Sequence, residues 1–132
     1  MVALFIALPR SEAGDGKKDP IDIAMEASME RNSSTAGMCN AISQAQEKWE
    51  TRLNAVWAKL KKKMPEGEFA ELQKAQRAWL TYRDLQIKSY YATYGKMEGT
   101  MWIPCSASAI MDITKQRVLD LETILGLLDE RS

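Results

Sequence analysis

The sequence predicts an all-α protein, an antiparallel helical bundle of three long helices plus a short N-terminal helix. Apolar residues recur at steps of three and four through most of the chain, which is the spacing of one face of a helix. No stretch alternates between apolar and polar residues for long enough to predict a strand. A chain of 132 residues is also long enough for one domain with a core of its own.

The first two predicted helices have clear end signals. Asp19 is the expected N-cap of a short helix, PIDIAMEASMER, with Pro20 at its first position. After a turn over 32–35, the second helix runs to about Lys63, where KLKKK suits the helix dipole and Pro65 stops the helix. Its apolar face consists of Met38, Ile42, Ala45, Trp49, Leu53, Val56, Trp57, Leu60 and Met64.

The second half of the chain predicts two more long helices. The third runs from about Glu66 to Tyr94, with Gly95 as its C-terminal residue, and the loop KMEGTMWIP over 96–104 follows it. The fourth runs from about Ser106 to Asp129, and its apolar face holds Ile110, Ile113, Val118, Leu121, Ile124, Leu125 and Leu128. Short connections between such helices predict an antiparallel bundle, with the first helix across one end or along a groove.

Composition argues against several classes of function. Eighteen basic and eighteen acidic residues give a net charge of zero, whereas nucleic-acid binding needs a basic excess on some face. The chain has no histidine, so it lacks the commonest general base near neutral pH and the commonest zinc ligand. Acids placed singly on solvated helix faces do not predict a catalytic carboxylate pair. We therefore expect no enzyme, no metal and no cofactor.

The N-terminus has the pattern of an export signal. The apolar run VALFIAL is too short to span a bilayer, which needs about 20 residues, and the small-x-small triplet Ser11-Glu12-Ala13 follows it. The alternative is an apolar arm that packs on the domain. The first interpretation predicts a signal-peptide remnant and flexible linker over 1–18, a helical domain over 19–132, and no integral membrane segment.

The two cysteines predict a disulfide. Cys39 lies near the start of the second helix and Cys105 at the start of the fourth, and both positions fall at the same end of an up-down bundle. A bond between them would stabilise the protein by about 3–4 kcal/mol, because it restricts the unfolded chain. The alternative is two unpaired, half-buried thiols, but an exported protein favours the bond.

Polar side chains interrupt the apolar faces of the helices. They are Gln76 and Arg83 on the third helix, Thr114 and Arg117 on the fourth, and Asn54 at the edge of the second helix's face. A buried arginine needs acceptors for several of its five donors. The candidates are Asp84, Asp112, Asp120, Gln76 and Asn54. One interpretation is an interhelical hydrogen-bond network that fixes helix register, and the other is an anion- or partner-binding cleft around the two arginines.

Three segments, LNAVW at 53–57, LQKAQRAWLTYRD at 72–84 and ITKQRVLDLE at 113–122, resemble the LprI-like lysozyme-inhibitor family. The family pattern is a leucine-asparagine pair before an aromatic residue, then Q-x-x-W-x-x-[YF]-R-D, then T-x-x-R ahead of a leucine. The matching residues are Leu53, Asn54, Trp57, Gln76, Trp79, Tyr82, Arg83, Asp84, Thr114, Arg117 and Leu121. The resemblance spans residues 35–125 or so.

The cysteines depart from the family pattern. Many members have a cysteine three residues after the aspartate of the R-D pair and another shortly before T-x-x-R, and these positions are Ile87 and about Ala109 here. Cys39 matches a family cysteine, whereas Cys105 is not at the usual place. The predicted disulfide therefore follows from bundle geometry and not from the resemblance.

The resemblance implies a small helical protein exported to the bacterial periplasm or secreted. It implies a protein-binding module that blocks a lysozyme, or another envelope protein, by steric occlusion without catalysis. The matched residues lie on predicted buried faces, so we expect them to preserve the bundle. A different class of function, a cell-envelope structural or small-anion-binding domain built on Arg83 and Arg117, remains as the alternative.

The connection KMEGTMWIP is the candidate partner-binding loop. Met97, Met101 and Trp102 are large apolar groups, and Glu98 suits a basic partner. The alternative is that Trp102 and Ile103 fold back and cap the end of the bundle.

Overall fold

Four helices make up the part of the chain that the structure, a computed structural model, describes. That part is residues 17–131, and the expected signal remnant lies outside it. The helices are α1 (Pro20–Arg31), α2 (Thr35–Lys63), α3 (Glu66–Tyr94) and α4 (Trp102–Arg131). No strand occurs among residues 17–131, so the predicted all-α bundle of one short and three long helices is confirmed.

Local capping groups fix where the helices begin and end. The side chain of Asp19 accepts a hydrogen bond from the backbone N–H of Ile21 at 2.9 Å, which satisfies a free donor at the start of α1. At the start of α2, Ser34 Oγ accepts a hydrogen bond from the backbone N–H of Gly37 at 3.0 Å. Gly95 is the C-cap of α3, as its position in the sequence predicted.

The connection between α3 and α4 is shorter than predicted. α4 begins at Trp102 rather than near Ser106, so residues 102–104 are helical. Pro104 is tolerated because first-turn N–H groups have no partner inside a helix, and a missing one costs little. The turn that remains contains Gly99 with φ 101°, a conformation that favours glycine.

The core lies mainly between α2 and α4, which run parallel because both begin at the same end of the bundle. The buried core residues are Ile42, Ala45, Trp49, Leu53, Val56 and Leu60 of α2, Phe69 and Leu72 of α3, and Met111, Val118 and Leu121 of α4. α1 packs along α2 through Ile21, Met25 and Met29. α3 is antiparallel to α4, and its buried residues, Phe69 and Leu72, both lie in its first half.

Ionic side chains tie the start of α1 to α2 and α4. Arg52 donates to both carboxylate oxygens of Glu122, at 2.8 and 2.7 Å, and also pairs with Asp19. Lys115 of α4 donates to Asp22 of α1 at 2.6 Å. Hydrogen bonds to Glu122, and then to Asp19, raise the pKa of Arg52 above its ordinary value against the opposing effect of burial. Arg52 therefore stays charged and joins three helices.

The indole of Trp49 lies against the same two cations. Its ring centroid is 4.9 Å from Arg52 Cζ and 5.9 Å from Lys115 Nζ. Trp49 is fully buried, and the side chains of Arg52 and Lys115 are 31% and 24% exposed, so these contacts are partly shielded from water and are stronger than fully exposed cation–π pairs. The ionic groups thus cover the core near the start of α1, between α2 and α4.

We expect Arg52→Met to lower the free energy of unfolding by about 1–3 kcal/mol, because it leaves Asp19 and Glu122 without their common partner. Lys74→Met is the control, since the Lys74–Glu71 side chains are 68% and 74% exposed and such pairs contribute about 0–1 kcal/mol. Urea unfolding followed by circular dichroism measures both variants. Equal losses for the two would contradict a structural role for Arg52.

Candidate functional site

Polar side chains from α2, α3 and α4 meet around the indole of Trp79. Arg83 Cζ lies 4.9 Å from the ring centroid and Arg117 Cζ lies 5.9 Å from it. Arg83 Nη1 donates to Glu50 Oε1 at 3.2 Å, and Arg117 Nε donates to Gln76 Oε1 at 2.8 Å. One aromatic ring thus brings together two guanidinium groups from neighbouring helices.

Gln46 extends these contacts to the fourth helix. Its Nε2 donates to Glu50 Oε1 at 3.0 Å and to Thr114 Oγ1 at 3.2 Å, and Thr114 is fully buried. We call the whole set the Trp79 cluster: Gln46, Glu50, Gln76, Trp79, Arg83, Thr114 and Arg117. Because its contacts link residues far apart in the chain, the cluster couples the registers of α2, α3 and α4.

Arg117 is the most constrained residue of the Trp79 cluster. Its Nη2 is buried and has no hydrogen-bond partner among residues 17–131. Burial lowers the pKa of Arg117 below its ordinary value, and the nearby Asp120 carboxylate opposes that effect. The amide oxygen of Gln76, the face of Trp79 and the field of Asp120 therefore offset a charge that has no direct ion pair in the described chain.

Three polar residues of the family pattern lie outside the Trp79 cluster. Asn54, Tyr82 and Asp84 are exposed, and neither Asn54 nor Asp84 hydrogen-bonds to an arginine within the described residues. The expectation that these two would be acceptors is corrected. Asp84 follows Arg83 directly, so it points about 100° further around the helix, toward solvent.

Sequence reasoning missed the acceptor that Arg83 uses. Glu50 looks like a solvated residue because it stands between Trp49 and Thr51. It precedes Leu53 by three positions and Trp57 by seven, however, and this helical spacing could have placed it on the side of α2 that faces α3. Gln46, one turn earlier, was missed for the same reason.

An open groove of about 430 Å³ runs between α2 and α3 beside the Trp79 cluster. Its polar lining is Glu50, Asn54, Gln73, Gln76, Arg77 and Arg83, and its apolar lining is Leu53, Trp57 and Leu80. We call it the α2–α3 groove. Five of these residues belong to the family pattern, so part of that pattern faces an accessible surface rather than the core.

Large apolar side chains are exposed where α3 turns into α4. The exposed fractions are 64% for Tyr91, 45% for Met97, 61% for Met101 and 56% for Ile103. We call this surface the α3–α4 tip. Glu98 is also exposed in the turn. The tip therefore presents several apolar groups and a carboxylate at one end of the molecule.

Trp102 is placed differently from its neighbours in the predicted loop. It is half-buried, and its ring centroid lies 6.3 Å from that of Tyr94, which in turn lies 6.0 Å from Tyr90. Trp102 thus packs back on the end of α3, whereas Ile103 remains exposed. The aromatic stack holds the tip against the two helices.

Cys39 and Cys105 are free, half-buried thiols, so the structure differs from the predicted disulfide. The two residues do lie in helices that begin at the same end of the bundle. Cys105 lies 18 residues, or about five helical turns, before the exposed Thr123, so the two positions lie on the same side of α4. Cys39 stands about two turns before Gln46, on the side of the Trp79 cluster. Helical periodicity therefore places the two positions on faces with different directions, which the sequence argument about bundle ends did not consider.

The groups that could hold a metal ion, a small ligand or a membrane differ in this part of the chain. No three histidine, cysteine, aspartate or glutamate side chains within 17–131 are arranged to hold a metal ion. The α2–α3 groove presents amides, guanidinium groups and an indole. None of the helices in this part of the chain is long and apolar enough to cross a membrane.

The fold and these two surfaces define a small helical module with an open groove on one flank and exposed apolar side chains at one end. The sequence matches the family described as Lysozyme inhibitor LprI over residues 26–121, and the chain belongs to this family. The match runs from α1 to Leu121 of α4 and confirms the resemblance found in the sequence.

The chain is also similar to a solved structure, the crystal structure of an uncharacterized protein from Burkholderia thailandensis. Sequence identity is 31% and the TM-score is 0.76. The match covers 86% of this chain and 56% of that one, so this chain spans little more than half of that protein's length. A comparison with curated proteins finds no match.

We expect Arg83→Met to lower the free energy of unfolding by about 1–2 kcal/mol, because Glu50 and Trp79 both lose the guanidinium they contact. Arg77→Met is the matched control on the same helix, since Arg77 is exposed and has no ion pair among residues 17–131. We expect a change within about 0.5 kcal/mol for the control. Unfolding of Arg83→Met at the wild-type urea midpoint would show that the Trp79 cluster does not hold α3 in place.

Proposed function

We propose that the protein is an exported protein-binding module that inhibits a lysozyme-type enzyme by steric occlusion, with no catalysis of its own. Membership of the Lysozyme inhibitor LprI family supports this function. The observation that carries it is the α3–α4 tip, where Met97, Met101, Ile103 and Tyr91 are exposed together.

The shape and chemistry of the tip suit insertion into an enzyme's cleft. A turn between two long helices is convex, and its apolar side chains can act as anchors that exclude water from a partner's surface. The two methionines adapt to an irregular surface. Packing of Trp102 on Tyr94 orders the tip before binding, which lowers the entropy cost of association. Glu98 adds a carboxylate that would suit a basic partner.

Export to the bacterial periplasm, or secretion, is part of the proposal. The apolar run and the small-x-small triplet within residues 2–13 support it, because together they have the pattern of a signal-peptide end. An inhibitor of lysozyme would also meet its target outside the cytoplasm. These residues lie outside the described part of the chain, so the support comes from their sequence.

The alternative, a structural or small-anion-binding domain built on Arg83 and Arg117, has weaker support. Arg83 already pairs with Glu50 at 3.2 Å. Arg117 is turned toward Gln76 and Trp79 between the helices. An anion between the two guanidinium groups would have to displace these contacts, so the family membership and the exposed tip favour the inhibitor.

We expect the purified protein to inhibit a lysozyme in a cell-wall lysis assay and to co-elute with it on gel filtration at micromolar concentration. Met101→Asp should raise the half-inhibitory concentration at least about tenfold, because a carboxylate in place of an apolar anchor must lose its water. Leu127→Asp is the control, since Leu127 is 60% exposed against 61% for Met101 and lies near the other end of α4.

The control variant should change inhibition less than about twofold, as exposed substitutions outside an interface do. Wild-type protein that neither inhibits nor binds the enzyme would overturn the proposed function. Inhibition that survives Met101→Asp but is lost with Leu127→Asp would move the binding surface to the opposite end of the bundle.

A further inference from the structure

We propose that the α2–α3 groove binds a saccharide that carries a carboxylate. The groove and the α3–α4 tip are separate surfaces. Arg77, on the groove, lies 17 residues before Tyr94 on the same helix, which is about 25 Å along its axis. This inference goes beyond inhibition of an enzyme and does not depend on it.

The size and the apolar lining of the groove suit a small ring that remains partly in water. Its volume of about 430 Å³ falls within the range of about 300–1,000 Å³ typical of small-molecule sites, and one side is open to solvent. Trp57 is held by Phe69, whose ring centroid is 5.1 Å away, and Leu80 on the opposite helix is 41% exposed. A packed indole on one wall and an exposed leucine on the other offer apolar surface for the C–H face of a sugar.

Three amide side chains give the groove its hydrogen-bonding character. The side chains of Asn54 and Gln73 have no hydrogen-bond partner among residues 17–131, and the Gln76 side chain uses its oxygen for Arg117, which leaves its amide nitrogen free. An amide donates and accepts, as a sugar hydroxyl or acetamido group does. A phosphate only accepts, and a hydrocarbon would leave the amides unpaired at a cost. The amides therefore favour a polyhydroxyl ligand.

The side chains that line the groove leave one positive charge that a carboxylate would neutralise. Arg83 is neutralised by Glu50, whereas Arg77 is exposed and has no ion pair in the described chain. One guanidinium is thus uncompensated, and its planar fork matches a carboxylate with two parallel hydrogen bonds. Together with the indole and the amides, this charge defines the ligand class.

Two sugars that differ in the carboxylate test the proposal. N-acetylmuramic acid carries a lactyl ether with a carboxylate, and N-acetylglucosamine lacks it. Titration of the ¹⁵N-labelled full chain, followed by NMR, should show at least about tenfold tighter binding of the acid, since a charge-assisted bidentate contact is the stronger kind. The indole N–H of Trp57 and the backbone amides of 73–83 should shift.

Arg77→Gln should remove the preference for the acid and leave binding of the neutral sugar unchanged. Lys88→Gln is the charge-matched control, because Lys88 is exposed on the same helix about three turns beyond Arg77 and does not line the groove. It should keep the full preference. Equal affinity for the two sugars, a preference that survives Arg77→Gln, or shifts confined to the α3–α4 tip would overturn the proposal.

The same variants separate this inference from the inhibitor function. Arg77→Gln should inhibit lysozyme as well as wild type does, because Arg77 is remote from the tip. Sugar binding without inhibition would overturn the proposed function alone, and inhibition without sugar binding would overturn the inference alone. Inorganic phosphate that competes as well as N-acetylmuramic acid would show a simple anion site and would also overturn it.

Discussion

The indole of Trp49 is fully buried between α2 and α4, and the rest of the bundle is arranged around it. Two cations cover it, Arg52 from its own helix and Lys115 from α4, and each also binds a carboxylate at the start of α1. A single apolar group thereby connects three helices. Burial of apolar side chains drives these helices together. The ionic groups around Trp49 determine how α1, α2 and α4 are arranged, because a half-buried charge requires a specific partner.

α3 is held in another way. Phe69 and Leu72 anchor its first half, and beyond them the polar Trp79 cluster takes the place of apolar packing. A helix held by a few directional contacts does not need close apolar packing against α2 along its whole length. The gap that remains is the α2–α3 groove. The far end of the same helix leads into the α3–α4 tip, where apolar side chains are exposed.

The two proposed functions use these two surfaces separately. The tip is convex and apolar, which suits a protein cleft, and the groove is concave and rich in amides and guanidinium groups, which suits a small polar ligand. Membership of the lysozyme-inhibitor family supports the proposal for the tip and not the proposal for the groove. The ligand of the groove is inferred from its own side chains, above all from Arg77, whose charge has no counterpart in the described chain.

The sequence by itself determined the helices, because apolar spacing and end signals such as Asp19, Pro65 and Gly95 are local. It also indicated the family and the polar residues that interrupt the helix faces. Only the tertiary structure decided that Glu50 rather than Asp84 accepts from Arg83, that Asn54 lines a groove, and that the two cysteines are free thiols. It also decided that α4 begins at Trp102, whose ring packs on Tyr94 at the end of α3. The physical reason is common to all of these: helical periodicity fixes which residues share a face, whereas the choice of partner depends on how far neighbouring helices rotate and separate.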